Sequence, residues 1–536
     1  MEFLRDRGTM LNLVFNMHCI TMMKDRITML YRLVALIVLM AGLPHLTRAQ
    51  WITYAEPEHE DSRRTNFEIV GKINGNILIF KNNNSGNAIS VYDNDMKLLN
   101  RQKLDYMDDR WINVDFVPYS DFCWMIYQYQ RRGIVYCMAV KLDGNAKRLT
   151  DPVELDTTRL GGSVSNKIYT TVFSDDKQKI MIFKINNRNP RNFVFSTLLF
   201  DAELKLQSKH RMNMPMEERN EYFTDFLLDN EGDLVFGKFM RKSGSDYISN
   251  VQLITKKSDQ EQFIVHDLKN GDRILDEIKL KIDNTNRRYL FNAFYYRQRR
   301  GNVEGLYTVV WDKGQDNVLR ELAMPFSDGL RKDAKGQDAN LKTAFDDYFL
   351  QNMIIRKDGG FILIAECLYT TSRGTGFNRW DNMYWNNPWL SPMDYNYWSP
   401  YYSPWGSSWN RRYGGQGTRY NAENIMVLSF DKNNGLEWAS VIPKSQYDDD
   451  GEGLISNQVM ITGGELHFIF NQYERRTLLL NEQSIDGEGK ITRQPTLKNL
   501  NKDIDFMPRY GKQISGTSMI VPCQTRNYIT FAKIDF

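Results

Sequence analysis

The stretch Phe67–Asp105, FEIVGKINGNILIFKNNNSGNAISVYDNDMKLLNRQKLD, divides into four short apolar or alternating segments: FEIVGKI, NGNILIF, NAISVYD and KLLNRQKL. Alternation with a period of two, bounded by Asn, Asp and Gly, predicts half-buried strands joined by turns. Asn74-Gly75 carries the left-handed turn chemistry of a tight hairpin. Four strands in fewer than fifty residues, with no helical period between them, describe an antiparallel meander.

The same grammar returns along the chain. An apolar strand, an Asp turn and a further strand recur in YCMAVKLDGNAKRL, FSTLLFDAELKL, FIVHDLKNGDRIL, LYTVVWDKGQDNVL, IMVLSFDKNNGLEWA, LLLNEQSIDGEGKI and the final YITFAKIDF. One Asp from each unit gives Asp93, Asp143, Asp201, Asp267, Asp312, Asp431, Asp486 and Asp535, at intervals of 50, 58, 66, 45, 119, 55 and 49 residues. Four-stranded repeats of about 40–50 residues are the sequence form of propeller blades. The discordant interval of 119 holds SDGLRKDAKGQDANLK and an aromatic-rich segment. A short carboxylate accepts hydrogen bonds within its own turn, so the Asp series is read as structural.

The chain ends fit a closed ring. The last repeat, about Phe506–Phe536, supplies three strands, and QWITYAE at Gln50–Glu56, where the mature chain is expected to begin, is one spare strand. Pairing the two would complete a shared last blade and remove an exposed edge. The expectation is an all-β protein, a β-propeller of eight four-stranded blades with the N- and C-terminal strands sharing the last. Seven blades with one misdivided unit is the alternative, and a two-sheet sandwich or two small β domains would use the same alternation.

Domain organisation follows from composition. Lys24, Arg26 and Arg32 precede the apolar run Leu33–Leu43, and Ala49 offers a small residue before Gln50. That is the pattern of a signal peptide, and eleven apolar residues fall short of the roughly 20 that a membrane span needs. Residues 1–49 are expected to be a leader, an uncleaved anchor or a buried helix being the other reading; Met23 or Met29 offers an alternative start within it. Residues 50–536 are expected to form a single propeller domain with an aromatic insertion at about 374–420. The formal charge of +3 becomes zero without the leader, with 63 basic and 63 acidic side chains remaining. A neutral chain with no long basic run argues against nucleic-acid binding. No stable membrane span is expected after leader cleavage.

Few residues carry recognisable chemistry. The four histidines after the leader, His59, His210, His266 and His467, share no short metal-ligand spacing, and no metal site is expected. His467, in HFIF, reads as a strand residue making an ordinary hydrogen bond. Ser515 and Ser518 have no local base, and the chain contains neither a G-x-S-x-G nor a P-loop. Cys123 and Cys137 flank one hairpin; an oxidising compartment would allow a disulfide there, and buried thiols are the other reading. The acidic run Asp448–Glu452 reads as a solvated loop between the sixth and seventh repeats. Catalytic residues are not identifiable.

One segment stands apart. Between Phe377 and Tyr413 lie thirteen aromatic residues, including six of the eleven tryptophans. Long insertions between strands emerge at surfaces, and Trp and Tyr present broad apolar faces with a polar handle. Trp380, Trp385, Trp389, Tyr395, Trp398, Tyr402, Trp405 and Trp409 are the candidate ligand- or partner-binding residues; folding back as a cap is the alternative.

The turns FDAELKL and FDKNNGLEWA, the leader and the Asn/Lys/Tyr-rich composition make the chain resemble the exported, mostly uncharacterised propeller-like proteins of the Bacteroidetes. FDKNNGLEW is also similar to the blade signature of quinone-cofactor propellers, but it occurs once and the regular Trp and Gly series is missing, so no cofactor is expected. The resemblance implies an exported protein of the periplasm or cell surface. The functional expectation is a noncatalytic binding or scaffold protein recognising an envelope protein or glycan. The alternative is a glycoside hydrolase or lyase with dispersed carboxylates in the central channel.

Overall fold

The computed structural model describes residues 51–56, 66–83, 86–108, 111–160, 162, 167–189, 191–216, 221–241, 247–298, 301–335, 340–372, 418–449, 453–474, 477–494, 504–525 and 528–536. The expected leader, the aromatic candidates from Trp380 to Trp409 and His59 lie outside them. Within Trp51–Asp535 the chain forms eight antiparallel blades in a ring, seven built from consecutive strands and the eighth from both chain ends. Seven blades, a sandwich and two β domains are thereby excluded. Blades four and five touch through one backbone pairing, Ile248 with Leu275, which joins their sheets into one of eight strands.

The first repeat folds as read: Asn66–Ile73, Asn76–Asn83, Gly86–Tyr92 and Leu98–Lys103 pair in order. Asn74 and Gly75, both at positive φ (48° and 86°), make the hairpin. First strands lie innermost in each blade and fourth strands outermost. The outer strand Leu98–Lys103 alternates exposed and half-buried residues, whereas Phe122–Arg131, a second strand, is buried along most of its length. The core is divided among the junctions between blades. Val70, Phe80, Phe116 and Tyr127 fill the junction of blades one and two, and Ile364, Val427, Phe468 and Phe470 that of six and seven.

Closure occurs as the chain ends imply. Trp51–Tyr54 pairs antiparallel with Ile529–Asp535, Trp51 opposite Asp535 and Tyr54 opposite Ala532. The Ala55 N–H donates to the Phe531 carbonyl at 2.8 Å, and the Thr530 hydroxyl to the Ala55 carbonyl at 3.1 Å. Behind this pairing Ile69, Ile79 and Tyr92 of blade one pack on Ile520, Ile529 and Phe531 of blade eight.

The Asp series is partly corrected. At Asp93, Asp143, Asp201, Asp431 and Asp486 one carboxylate oxygen accepts the backbone N–H groups two and four residues on, at 2.7–3.0 Å. The residue three positions on takes positive φ: Met96, Ala146, Leu204, Asn434 and Gly489. Asp312 makes a variant with Gly314 and Gln315. Asp267 and Asp535 make no such turn. Asp267 lies within the outer strand Ile264–Leu268 and accepts from Gln252 Nε2 at 2.8 Å. Asn270-Gly271, three residues on, is the crossover to blade five, and its turn composition made the neighbouring Asp look like a turn residue. Asp535 ends the last strand and accepts from the Ser518 hydroxyl at 2.6 Å. Asp229, outside the series, makes the full motif with Glu231 and Asp233, with Gly232 at φ 88°.

The interval of 119 residues is a single blade. The helix Asp328–Lys335 occupies the crossover from blade five to six, and the aromatic insertion interrupts the second hairpin of blade six. That hairpin remains paired out to Ser372 opposite Thr418, and the aromatic insertion lies between them. The disulfide between Cys123 and Cys137 does not form. Register places Cys123 opposite Leu142 and Cys137 opposite Gln128, several residues apart along adjacent strands, and both are free and buried. Burial pushes the Cys123 thiol up to about 12, the state of an inert structural cysteine.

Removing Trp51–Ala55 should open the ring. The expected result is a lower thermal midpoint and faster amide exchange across Ile529–Asp535; unchanged exchange there would contradict closure by this strand.

Candidate functional site

An antiparallel four-strand blade sends its second hairpin and its exit crossover to one face of the ring, and its first and third hairpins to the other. Blade six extends furthest on the crossover face. Its second, third and fourth strands have 12, 13 and 13 residues, against nine in the central strands of blade seven. Three extra residues carry a strand about 10 Å further. The insertion leaves from this extension, between Ser372 and Thr418.

At its root the described residues form an exposed aromatic platform. Tyr447 and Tyr473, from blades six and seven, stack with centroids 5.5 Å apart and planes 22° apart. They are 44% and 45% exposed, so the stacked pair presents one contiguous aromatic patch to solvent. The Arg419 guanidinium lies 4.3 Å from the Tyr447 ring centroid. Its Nε and Nη2 donate to Asp449 at 2.7 and 3.0 Å, and this bidentate contact holds the Asp449 carboxyl below its ordinary value. A guanidinium fixed over a ring and an open tyrosine face beside it suit a ligand with flat apolar faces and hydroxyl groups. Deeper in the same hairpin, the Tyr369 hydroxyl donates to Glu423 at 2.7 Å. Sequence reading placed recognition in the insertion and passed over Tyr447 and Tyr473, isolated residues in separate strands brought together by register. Asp449, first of the acidic run to follow the strand, is the partner of Arg419 rather than a free loop charge.

The inner strands carry carboxylates, and their partners define what they do. Asp225 and Glu277 occupy bulges in the first strands of blades four and five, both at positive φ (48° and 27°). Asp225 accepts the Leu280 N–H of the next blade at 2.7 Å, and Glu277 accepts the Leu350 N–H of the next at 2.6 Å. Asp115 is held by Lys167 Nζ at 3.0 Å. Each therefore fastens one blade to its successor. Lys444 and Glu366, both fully buried, pair at 2.8 Å at the junction of blades six and seven, and Glu366 also accepts the Ser456 hydroxyl at 2.5 Å. Lys313 Nζ is enclosed by Asp229, Glu231 and Asp233; burial disfavours its charge, but the three carboxylates raise its pKa overall.

The three histidines among the described residues are likewise engaged. His210 Nδ1 meets Lys256 Nζ at 2.9 Å, and the His266 ring lies 4.4 Å from that of Trp311. His467 Nδ1 meets Glu482 at 2.5 Å and its Nε2 meets the Thr462 hydroxyl at 3.0 Å. This line resembles a nucleophile–base–acid relay, but the Thr462 hydroxyl also has the Glu465 carbonyl within 3.2 Å as acceptor. The arrangement serves as a clamp on the Thr462–Glu465 turn. Among the described residues no group of three or more His, Cys, Asp or Glu side chains could hold a metal ion, and no helix is long and apolar enough to cross a membrane.

Replacing Glu277 by Ala should cost about 1–3 kcal/mol, because the buried Leu350 N–H loses its acceptor. Urea unfolding measures this; a variant as stable as the parent would remove Glu277 from the fastening role.

No family model matches the chain, and no curated protein matches it. Among solved structures it is similar to prolyl oligopeptidase B from Galerina marginata, at 8% identity over 87% of this chain and 56% of that chain, with a TM-score of 0.38. It is also similar to the Synechocystis apocarotenoid oxygenase, at 9% identity, 91% and 93% coverage and a TM-score of 0.32. A dihydro-heme d1 dehydrogenase follows at 11% identity, 89% and 73% coverage and a TM-score of 0.33. The chain spans little more than half the length of the prolyl oligopeptidase. At these values no function is carried over from any of them.

Proposed function

We propose that this is a noncatalytic, exported binding protein of the bacterial cell envelope that recognises a glycan or protein on the crossover face of its propeller. The observation that carries the reading is the exposed Tyr447–Tyr473 stack, braced by Arg419, at the root of the aromatic insertion. Trp380, Trp385, Trp389, Tyr395, Trp398, Tyr402, Trp405 and Trp409 lie in the chain that leaves from this point and would extend the same surface. Binding to aromatic faces tolerates an irregular loop, whereas hydrolysis requires two carboxylates held at a defined separation. The inner-strand carboxylates Asp225 and Glu277 are committed to main-chain N–H groups, which supports the binding reading over the hydrolase one. Export rests on the leader pattern before Gln50.

The test pairs two variants. Tyr447→Ala with Tyr473→Ala should weaken binding to a glycan panel or a purified envelope fraction by about thirtyfold, the scale of an aromatic hot spot. The thermal midpoint should change little, because both rings are about half exposed. Replacing Trp389, Trp398 and Trp405 together by Ser should weaken the same interaction. Parental binding by both folded variants would sink the proposal, and turnover of a glycan by the parent would replace it with the hydrolase reading.

A further inference from the structure

The opposite face of the ring carries a different chemistry. Lys512, on the short inner strand Lys512–Gln513 of blade eight, reaches across to blade one and donates to the carbonyls of Ile69 and Val70 at 2.9 and 3.2 Å. Val70 lies at the bulge of that inner strand, next to Gly71. Gly71 in turn faces Pro118 of blade two, whose Cβ lies 3.7 Å from where a Gly71 Cβ would stand. The Pro118 carbonyl accepts from Lys177 Nζ at 2.5 Å, Lys177 arriving from the first hairpin of blade three. That hairpin is held in place by the Tyr119 hydroxyl, which donates to the Lys177 carbonyl at 2.8 Å.

Two ammonium groups from blades eight and three thus converge on adjoining inner-strand carbonyls of blades one and two. Among the described residues neither has a carboxylate within ion-pair distance, in contrast to Lys167, Lys184, Lys238, Lys313 and Lys444, each of which has one. Buried or partly buried cations are ordinarily compensated by an opposite charge, since dipolar carbonyls replace only part of their hydration. Both residues keep part of their surface exposed, but the Lys512 ammonium lies deep and the Lys177 ammonium much shallower, so a ligand would approach past Lys177. An ammonium has three N–H donors; Lys512 spends two on carbonyls and Lys177 one, leaving donors for a further acceptor. Burial lowers the pKa of both, Lys512 further lowers that of Lys177, and Glu68 only partly offsets the burial of Lys512. An arriving anion would relieve that cost.

We infer that Lys177 and Lys512 form an oxyanion-binding site on the turn face of the ring, taking the phosphate, sulfate or carboxylate group of a small ligand between the inner strands of blades one and two. It is distinct from the aromatic platform in face, in blades and in chemistry.

The probes are inorganic phosphate, sulfate and acetate, each titrated calorimetrically into the intact protein against sodium chloride at equal ionic strength. Saturable binding of at least one oxyanion is expected, and its identity separates a tetrahedral from a carboxylate ligand. Lys177→Gln should weaken that binding by about tenfold or more, and the double variant with Lys512→Met should abolish it. Lys177 is the safer probe of the two because only one of its contacts to the fold is made by the side chain. If Lys512→Met fails to fold, Lys177→Gln alone decides the matter. Three oxyanions that behave like chloride, or undiminished binding by folded Lys177→Gln, would overturn the site.

Discussion

The fold depends on pairing four residues at one end of the chain with four at the other. A propeller blade is a sheet with two edges, and a ring built from a linear chain leaves one blade incomplete unless the ends meet. Trp51–Tyr54 against Ala532–Asp535 supplies the missing outer strand. It converts the covalent break in the ring into an ordinary antiparallel ladder, stitched further by Ala55 with Phe531 and Thr530. The apolar junction of blades eight and one lies directly behind that ladder, so packing and hydrogen bonding there form together.

Between blades, polar side chains complement the apolar packing. Asp225, Glu277 and Lys512 each reach from one inner strand to main-chain groups of the next. Gln128 does comparable work at the second junction, bonding the backbone of Tyr169 through both its amide ends. Such contacts are directional and fix how far each blade rotates against its neighbour, which apolar packing alone leaves soft. Removing one partner of the Lys444–Glu366 pair would strand a charge in a dry interior, so these junctions are also the places least tolerant of change.

The two faces divide the remaining chemistry. On the crossover face, blade six extends beyond its neighbours, presents Tyr447 with Tyr473, and gives rise to the aromatic insertion. On the turn face, hairpins are short and governed by Asp turns, and Lys177 and Lys512 bring positive charge to the inner strands. A hairpin whose register is fixed by backbone pairing can be lengthened outward without disturbing the core. This explains how one blade can take 119 residues between Asp turns while the ring keeps its order.

By itself the sequence determined the strands, the repeat and the strand that closes the ring, because each follows from local periodicity and turn chemistry along the chain; eight blades was its leading count, and the sheet pairings excluded seven. Even the misassigned Asp267 belonged to the correct blade, and the Gly three residues after Asp229 held the signal of the turn that was passed over. Register and the meeting of separate blades were left to tertiary structure. Cys123 and Cys137 flank one hairpin, yet pairing sets them several residues apart. Tyr447 and Tyr473, or Lys177 and Lys512, are unremarkable residues on distant segments until the ring brings them together. A side chain's neighbours along the strand are written in the sequence, whereas its neighbours across a blade junction are fixed only when eight sheets settle their rotations against one another.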